Sequence, residues 1–234
     1  MSRGLPLFPL TTVLFPGLVL PLNVFESRYR ALVADLLALP DGLAREFGVI
    51  AIKRGWEVVE GATDGRPAPE VTLHEVGCTA DLRRGTELPD GRYDLVTVGR
   101  RRFRIVAVDT TSGPYPRAEV EWLPDAVGDP RVAGRLSDRV LASFQRYLNL
   151  VRTGGHSDDG QSEQLPDDPT VLSYLVAATA TLTVDDRQRL LAAPDTVARL
   201  REEIRLLARE SALLRHIGAV PMSLAELGGP ATPN

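Results

Sequence analysis

Three histidines, one cysteine and one lysine are all that this 234-residue chain offers for metal, thiol or Schiff-base chemistry. His74, His156 and His216 fall in a predicted strand, a polar loop and a helix end. His74-Glu75-Val76-Gly77-Cys78 opens as a zinc-protease motif does, but it has no second histidine, and a strand sends His74 and Glu75 to opposite faces. That is too few ligands for a structural or catalytic zinc, so no metal is expected. Cys78 has no partner for an intrachain disulfide. Lys53 is the single lysine among 27 basic residues, and Ala51-Ile52-Lys53-Arg54-Gly55 matches neither a phosphate-binding loop nor a Ser-Lys hydrolase. The chain has no Gly-x-Ser-x-Gly elbow, no Gly-x-Gly-x-x-Gly and no Cys-x-x-Cys. The acidic pairs Asp158-Asp159, Asp167-Asp168 and Asp185-Asp186 sit in a loop or at helix starts, where capping is their ordinary role. No catalytic residue and no cofactor is expected.

The densest local charge is Gly99-Arg100-Arg101-Arg102-Phe103-Arg104-Ile105. In a regular strand Arg100, Arg102 and Arg104 share one face, and Arg101, Phe103 and Ile105 the other. The first face could contact an anion or RNA. Alternatively its arginines pair with carboxylates such as Glu26, Asp81 and Asp94, a reading favoured by the overall charge. That charge is −4, with 27 basic and 31 acidic residues. It divides evenly, leaving no basic domain or tail.

These residues need a frame. Hydrophobic residues make up 44% of the chain and charged residues 25%, a balance that specifies a globular core. Gly4 to Phe25 carries no charge, yet Pro6, Pro9, Pro16 and Pro21 would interrupt a spanning helix. The run is instead predicted as strands Leu5–Phe8, Val13–Phe15 and Leu18–Leu20, with a Pro16-Gly17 turn of type II. The expected location is cytoplasmic. Asn23 is expected to cap a helix through Phe25, Tyr29, Leu32, Val33 and Leu36. Strands are predicted at Phe47–Ile52, Trp56–Val59, Val71–Leu82, Tyr93–Val98, Phe103–Val108 and Ala118–Trp122, with Asp90-Gly91 as a hairpin turn. Gly61 to Pro69 reads as a loop.

Beyond Pro124 the apolar period changes from two to about 3.6. Asp129-Pro130 starts a helix with a stripe from Ala133 to Val151, and Gly154 to Gln164 reads as a loop. Asp168-Pro169 starts another helix, running to about Leu182. Thr183 and Asp186 form a capping box for a third, and Asp195 caps a fourth that ends before Gly218. The expected class is α+β: a barrel-like domain over 1–125, a bundle of about four helices over 126–218, and a loosely held tail over 219–234.

Several segments resemble the N-terminal substrate-binding domain of Lon proteases. They are Leu5-Pro6-Leu7-Phe8-Pro9-Leu10, Val13-Leu14-Phe15-Pro16-Gly17, Leu20-Pro21-Leu22 and Phe25-Glu26-Ser27-Arg28-Tyr29. The likeness continues through Phe47 to Ala51, Asp90 to Tyr93, the arginine run and Asp186 to Leu191, and covers roughly residues 5–217. The resemblance implies a PUA-like β-barrel followed by a helical bundle. It also implies a non-enzymatic module that binds unfolded or partly folded polypeptides or a protein partner. The Lon ATPase and protease domains are not expected in this chain, which has no phosphate-binding loop and a single lysine. Within the motif, Pro16, Gly17 and Pro21 are expected to shape turns, Phe25 and Tyr29 to anchor the helix on the barrel, and Glu26 and Arg28 to orient it. RNA binding through Arg100, Arg102 and Arg104 is the alternative, and a hydrolase ranks third. No membrane partner is expected. Oligomeric state stays open, because the stripe on the last helix can bury within the bundle or pair between chains.

Overall fold

A computed structural model describes residues 4–40, 42–54, 72–153 and 165–217. The strand expected at Trp56–Val59, the loops at Gly61–Pro69 and Gly154–Gln164, His156 and the tail beyond Ile217 lie outside these residues. The chain divides into two compact units, one ending at Pro124 and one beginning at Asp125.

The first unit is built from β1 (Leu5–Leu10), β2 (Val19–Val24), α1 (Ser27–Leu37), β3 (Glu46–Arg54), β4 (Thr72–Leu73), β5 (Val76–Glu87), β6 (Tyr93–Asp109) and β7 (Arg117–Leu123). Pairing runs β1-β7-β6-β5-β3, and a parallel β1–β3 ladder joins the two ends into a closed five-stranded barrel. All other pairs are antiparallel. Closure removes most exposed edges. Strand β2 stands outside the circuit, paired with the first half of β6.

Two expected strands, Tyr93–Val98 and Phe103–Val108, are one 17-residue strand. It bends through register shifts instead of ending at Gly99. Such bulges increase local twist, which lets β6 serve β2 and β5 at one end and β5 and β7 at the other. The strand expected at Val71–Leu82 is interrupted: residues 72–82 belong to two strands, with a bend at His74–Glu75. His74 donates its backbone N–H to the Ala51 carbonyl there, at 2.9 Å. The expected strand Val13–Phe15 is irregular, though all three residues are buried.

Phe103 fills the barrel interior beside Leu7 and Ala118. Its ring is accommodated by two glycines: a Cβ on Gly77 would lie 2.4 Å from the ring, and one on Gly48 2.8 Å. The Asp90-Gly91 turn joins β5 to β6, with the Gly91 N–H donating to the Leu88 carbonyl at 2.8 Å and Gly91 at φ +79°.

The second unit holds α2 (Pro130–Thr153), α3 (Pro169–Thr179), α4 (Val184–Leu191) and α5 (Thr196–Ile217). Asp129, Asp168, Thr183 and Asp195 each accept a backbone N–H at a helix start, satisfying donors that have no intrahelical partner. Ala133, Leu136, Val140, Phe144 and Tyr147 of α2 meet Leu172 and Val176 of α3 and Leu200 and Leu207 of α5 in one core.

Candidate functional site

The opening motif places its residues in three arrangements. Pro16 and Gly17 occupy a turn closed by the Leu18 N–H on the Phe15 carbonyl at 3.3 Å. Gly17 sits at φ +80°, the value that the third position of a type II turn requires. The turn is seated on Gly99 of β6, where the Gly17 N–H donates to the Gly99 carbonyl (2.8 Å) and the Gly99 N–H to the Leu18 carbonyl (2.9 Å). A Cβ on Gly99 would stand 2.1 Å from the Phe15 carbonyl oxygen. That oxygen belongs to backbone, so no rotamer change relieves the clash. Gly99→Ala is expected to cost about 3 kcal/mol, the upper end of typical overpacking effects, read as a shifted urea midpoint with unchanged m-value.

Pro21 does not shape a turn. It lies within β2 opposite Val96, and β2 has a ladder partner only on its β6 side. Proline, lacking an N–H, is tolerated on such an edge and interrupts the row of donors that another strand would need.

The third arrangement is the start of α1. Asn23 does not cap this helix; it lies in β2 and donates its amide to Asp94 at 2.6 Å. Glu26 is the N-cap residue, with extended backbone and no side-chain cap bond. Its buried carboxylate instead accepts from Arg28 at 2.8 Å, and the Arg28 guanidinium lies 4.6 Å from the Tyr29 ring centroid. Tyr29 is buried and stacks on Phe8, centroids 4.2 Å apart. Phe25, just ahead, is half-buried.

The arginine run does not form a basic face. Cys78 pairs with Arg102 and Ala80 with Gly99, so Arg100 and Arg101 both stand opposite Thr79. This bulge breaks the alternation on which a shared face depended. Arg102 is 1% exposed and donates to the Pro124 carbonyl at 2.6 Å. Arg100 and Arg104 are exposed, facing Asp81 at 3.9 Å and Glu121 at 3.5 Å. Arg101 bonds Glu46 at 3.1 Å and lies over the Trp122 ring. Of the expected carboxylates, Asp81 is used here, while Glu26 serves Arg28 and Asp94 serves Asn23.

Which apolar side chains face solvent was not readable from the sequence, because it depends on register. Val19 pairs with Val98 and Pro21 with Val96, which puts all four on the outer face of the β2–β6 ladder. Val19 is 62% exposed and Val96 39%. Leu20 and Leu22 alternate to the other side, opposite buried Thr97 and Leu95.

In the helical unit the polar residues are internal. Arg199 is fully buried and donates to the Leu190 carbonyl (3.1 Å), Ser173 Oγ (2.9 Å) and the Tyr174 hydroxyl (3.0 Å). Tyr174 in turn donates to Asp125 at 2.6 Å. Burial pushes the Asp186 carboxyl up, but hydrogen bonds from Arg209, Thr183 and Arg189 outweigh this and hold it at about 2. Glu203 is the opposite case. Its buried oxygens accept no hydrogen bond, and desolvation raises it well above the usual carboxylate range despite the opposing Arg199 charge. Among the described residues no three His, Cys, Asp or Glu side chains gather as a metal site, and no helix is long and apolar enough to cross a membrane.

The closed barrel, its motif-bearing turn and helix, and the helices that follow define the class of protein. The chain belongs to the ATP-dependent protease La (LON) substrate-binding domain family, whose model matches residues 4–209. Among curated relatives it is 35% identical over 147 residues to Lon protease 1 of Thermus thermophilus, covering 62% of this chain and 18% of that protein. It is 31% identical over 210 residues to Lon protease 2 of Herpetosiphon aurantiacus, covering 88% of this chain and 24% of that protein. The chain thus spans a quarter or less of the length of these relatives. Among solved structures it resembles the Lon N-terminal domain protein from Xanthomonas campestris, with TM-score 0.56, 28% identity and coverage of 88% of this chain and 97% of that one. The N-terminal domain of the Mycobacterium avium complex Lon protease shares the fold, with TM-score 0.55, 18% identity and coverage of 90% and 98%.

Proposed function

We propose that the protein is a non-enzymatic, cytoplasmic module that binds apolar segments of unfolded or partly folded polypeptides on the outer face of β2 and β6. The family is one of substrate-binding domains, and the observation that carries the reading to a surface is the outer apolar face on which Val19, Pro21 and Val96 are exposed beside half-buried Val98. Contiguous exposed apolar side chains on a folded surface are characteristic of interaction sites. Pro21 on the free edge disfavours recognition by strand addition, so side-chain burial supplies the affinity. The two units act as separate domains dividing near residue 125, and the closed barrel supports reading the first as PUA-like.

The carboxylates facing Arg100 and Arg104, and the burial of Arg102, favour this reading over RNA binding. The test is binding of a fluorescent, reduced and alkylated protein that cannot fold. Threonine is β-branched like valine and keeps the strand propensity. Val19→Thr with Val96→Thr is expected to weaken binding about tenfold, the effect of losing about 1.4 kcal/mol of apolar burial. Unchanged affinity in the double variant would remove this face from the function.

A further inference from the structure

Arg131, Arg135, Arg139 and Arg146 are exposed along α2. At 3.6 residues per turn they fall within an arc of about 80° and extend over about 22 Å of helix. The inward side of α2 carries Ala133, Leu136, Val140, Phe144 and Tyr147, so the arginines add nothing to the core. Three exposed arginines elsewhere, Arg92, Arg104 and Arg205, stand within 4 Å of a carboxylate, whereas Arg84, Arg201 and Arg215 form no ion pair among the described residues and are scattered singly. Along the α2 stripe no ion pair forms among the described residues. Arg146 turns back on its own helix, to the Ala142 carbonyl at 3.2 Å and Ser143 Oγ at 3.1 Å.

This arrangement works against the helix that carries it. Arg131 lies in the first turn, at the positive end of the macrodipole, where the Asp129 cap accepts its backbone N–H but forms no ion pair with its side chain among the described residues. Arg131 and Arg135, and Arg135 and Arg139, are like charges one turn apart, a spacing that destabilises helices. A row of cations that neither packs nor pairs, in a chain of net charge −4, is complementary to an external anion.

We propose that this face of α2 docks an acidic polypeptide segment of a partner protein. Carboxylates one helical turn apart, or on alternate residues of an extended chain, repeat at about 6–7 Å and match the spacing of Arg131, Arg135 and Arg139, with Arg146 reached two turns further on. A nucleic acid fits less well, because the aromatic side chains of α2, Phe144 and Tyr147, are buried and offer no ring on which a base could stack. The choice of a protein partner rests on the polypeptide-binding reading, but the surface is distinct from the β2–β6 face.

The probe is a fluorescein-labelled 16-residue peptide with glutamate at every fourth position and alanine or glutamine between, measured by anisotropy. Its glutamine-substituted counterpart, a 15-nucleotide oligothymidine and anionic vesicles containing 30% phosphatidylserine serve as comparison arms. The glutamate peptide is expected to bind, with affinity falling steeply between 50 and 300 mM NaCl. The Arg131→Gln, Arg135→Gln, Arg139→Gln, Arg146→Gln variant is expected to lose about tenfold, as four exposed charge pairs disappear. The double variant Arg135→Gln, Arg139→Gln should fall between. Binding of the unfolded protein at the β2–β6 face should not change, which separates failure of this proposal from failure of the other. Equal binding of the glutamate peptide to the quadruple variant, no binding to the native protein, or tighter binding of oligothymidine or vesicles would each overturn the proposal.

Discussion

Replacing Arg199 by alanine is expected to destabilise the helical unit by about 3–5 kcal/mol, the sum of a large buried truncation and the loss of donors to buried acceptors. The side chain is fully buried on α5, and its three donating nitrogens reach the Leu190 carbonyl at the end of α4 and Ser173 and Tyr174 on α3. One residue therefore ties three helices together. Its guanidinium also lies 4.0 Å from the Tyr174 ring centroid, so stacking adds to the hydrogen bonds. Two further variants separate packing from polarity. Arg199→Met restores most of the volume and should recover part of the loss. Arg199→Lys keeps the charge but not the planar fork, and is expected to remain well below the native protein. Urea unfolding followed by circular dichroism at 222 nm measures all three. A native-like midpoint for Arg199→Ala would show that the network contributes nothing.

The second large effect is a pH dependence centred on Glu203. Its carboxyl is 1% exposed and both oxygens lack a hydrogen bond, so the neutral form is favoured in the folded protein. Burial raises its pKa well above the usual carboxylate range, with Arg199 a weaker opposing influence. The sign follows from proton linkage. Below about pH 4.5 the group is protonated in both folded and unfolded chains, and its contribution to stability is fully present. As pH rises, the unfolded chain releases the proton first, and stability falls by about 1.4 kcal/mol per pH unit until the folded pKa is reached. Glu203→Met should remove this slope and raise stability at pH 8, while leaving it nearly unchanged at pH 4.5. Asp186 has the opposite sign: held at about 2, it stabilises the fold above its ordinary pKa and loses that contribution as pH falls towards 2. The two act in separate windows, so melting temperatures recorded from pH 3 to pH 8 distinguish them. A Glu203→Met profile parallel to that of the native protein would contradict the assignment.

Much of the fold was legible because local signals and packing agreed. The Asp-Pro pairs at 129–130 and 168–169, the Thr183 to Asp186 box and Asp195 marked helix starts at which the caps are seen. The Pro16-Gly17 and Asp90-Gly91 pairs marked turns for the same reason: each supplies a glycine where φ is positive. What failed depended on long-range pairing. Gly99 looked like the end of a strand, but its missing side chain serves a close approach by the Phe15 carbonyl while β6 continues through it. Asn23 had the chemistry of a cap, yet β6 claimed it for a ladder.

The candidate site was less legible than the fold. The arginine run stood out in sequence, but strand alternation could not foresee a bulge opposite Thr79, and that bulge breaks the shared face on which Arg100 and Arg104 would flank Arg102. The exposed Val19 and Val96 are ordinary strand residues whose orientation is fixed only by register with β6. Nothing local in the sequence announced the burial of Arg199. The arginines of α2 had a signal, since their steps of four and seven residues lie opposite the apolar stripe.

The function proposed for the protein is capture of unfolded polypeptide on the outer face of β2 and β6. Anisotropy of a labelled, permanently unfolded protein, titrated with the native chain and with the Val19→Thr, Val96→Thr variant at 150 mM NaCl, tests it most directly. Saturable binding that weakens about tenfold in the variant, while both proteins melt at similar temperatures, is expected. No binding by the native chain, or equal affinity for both proteins, would contradict it.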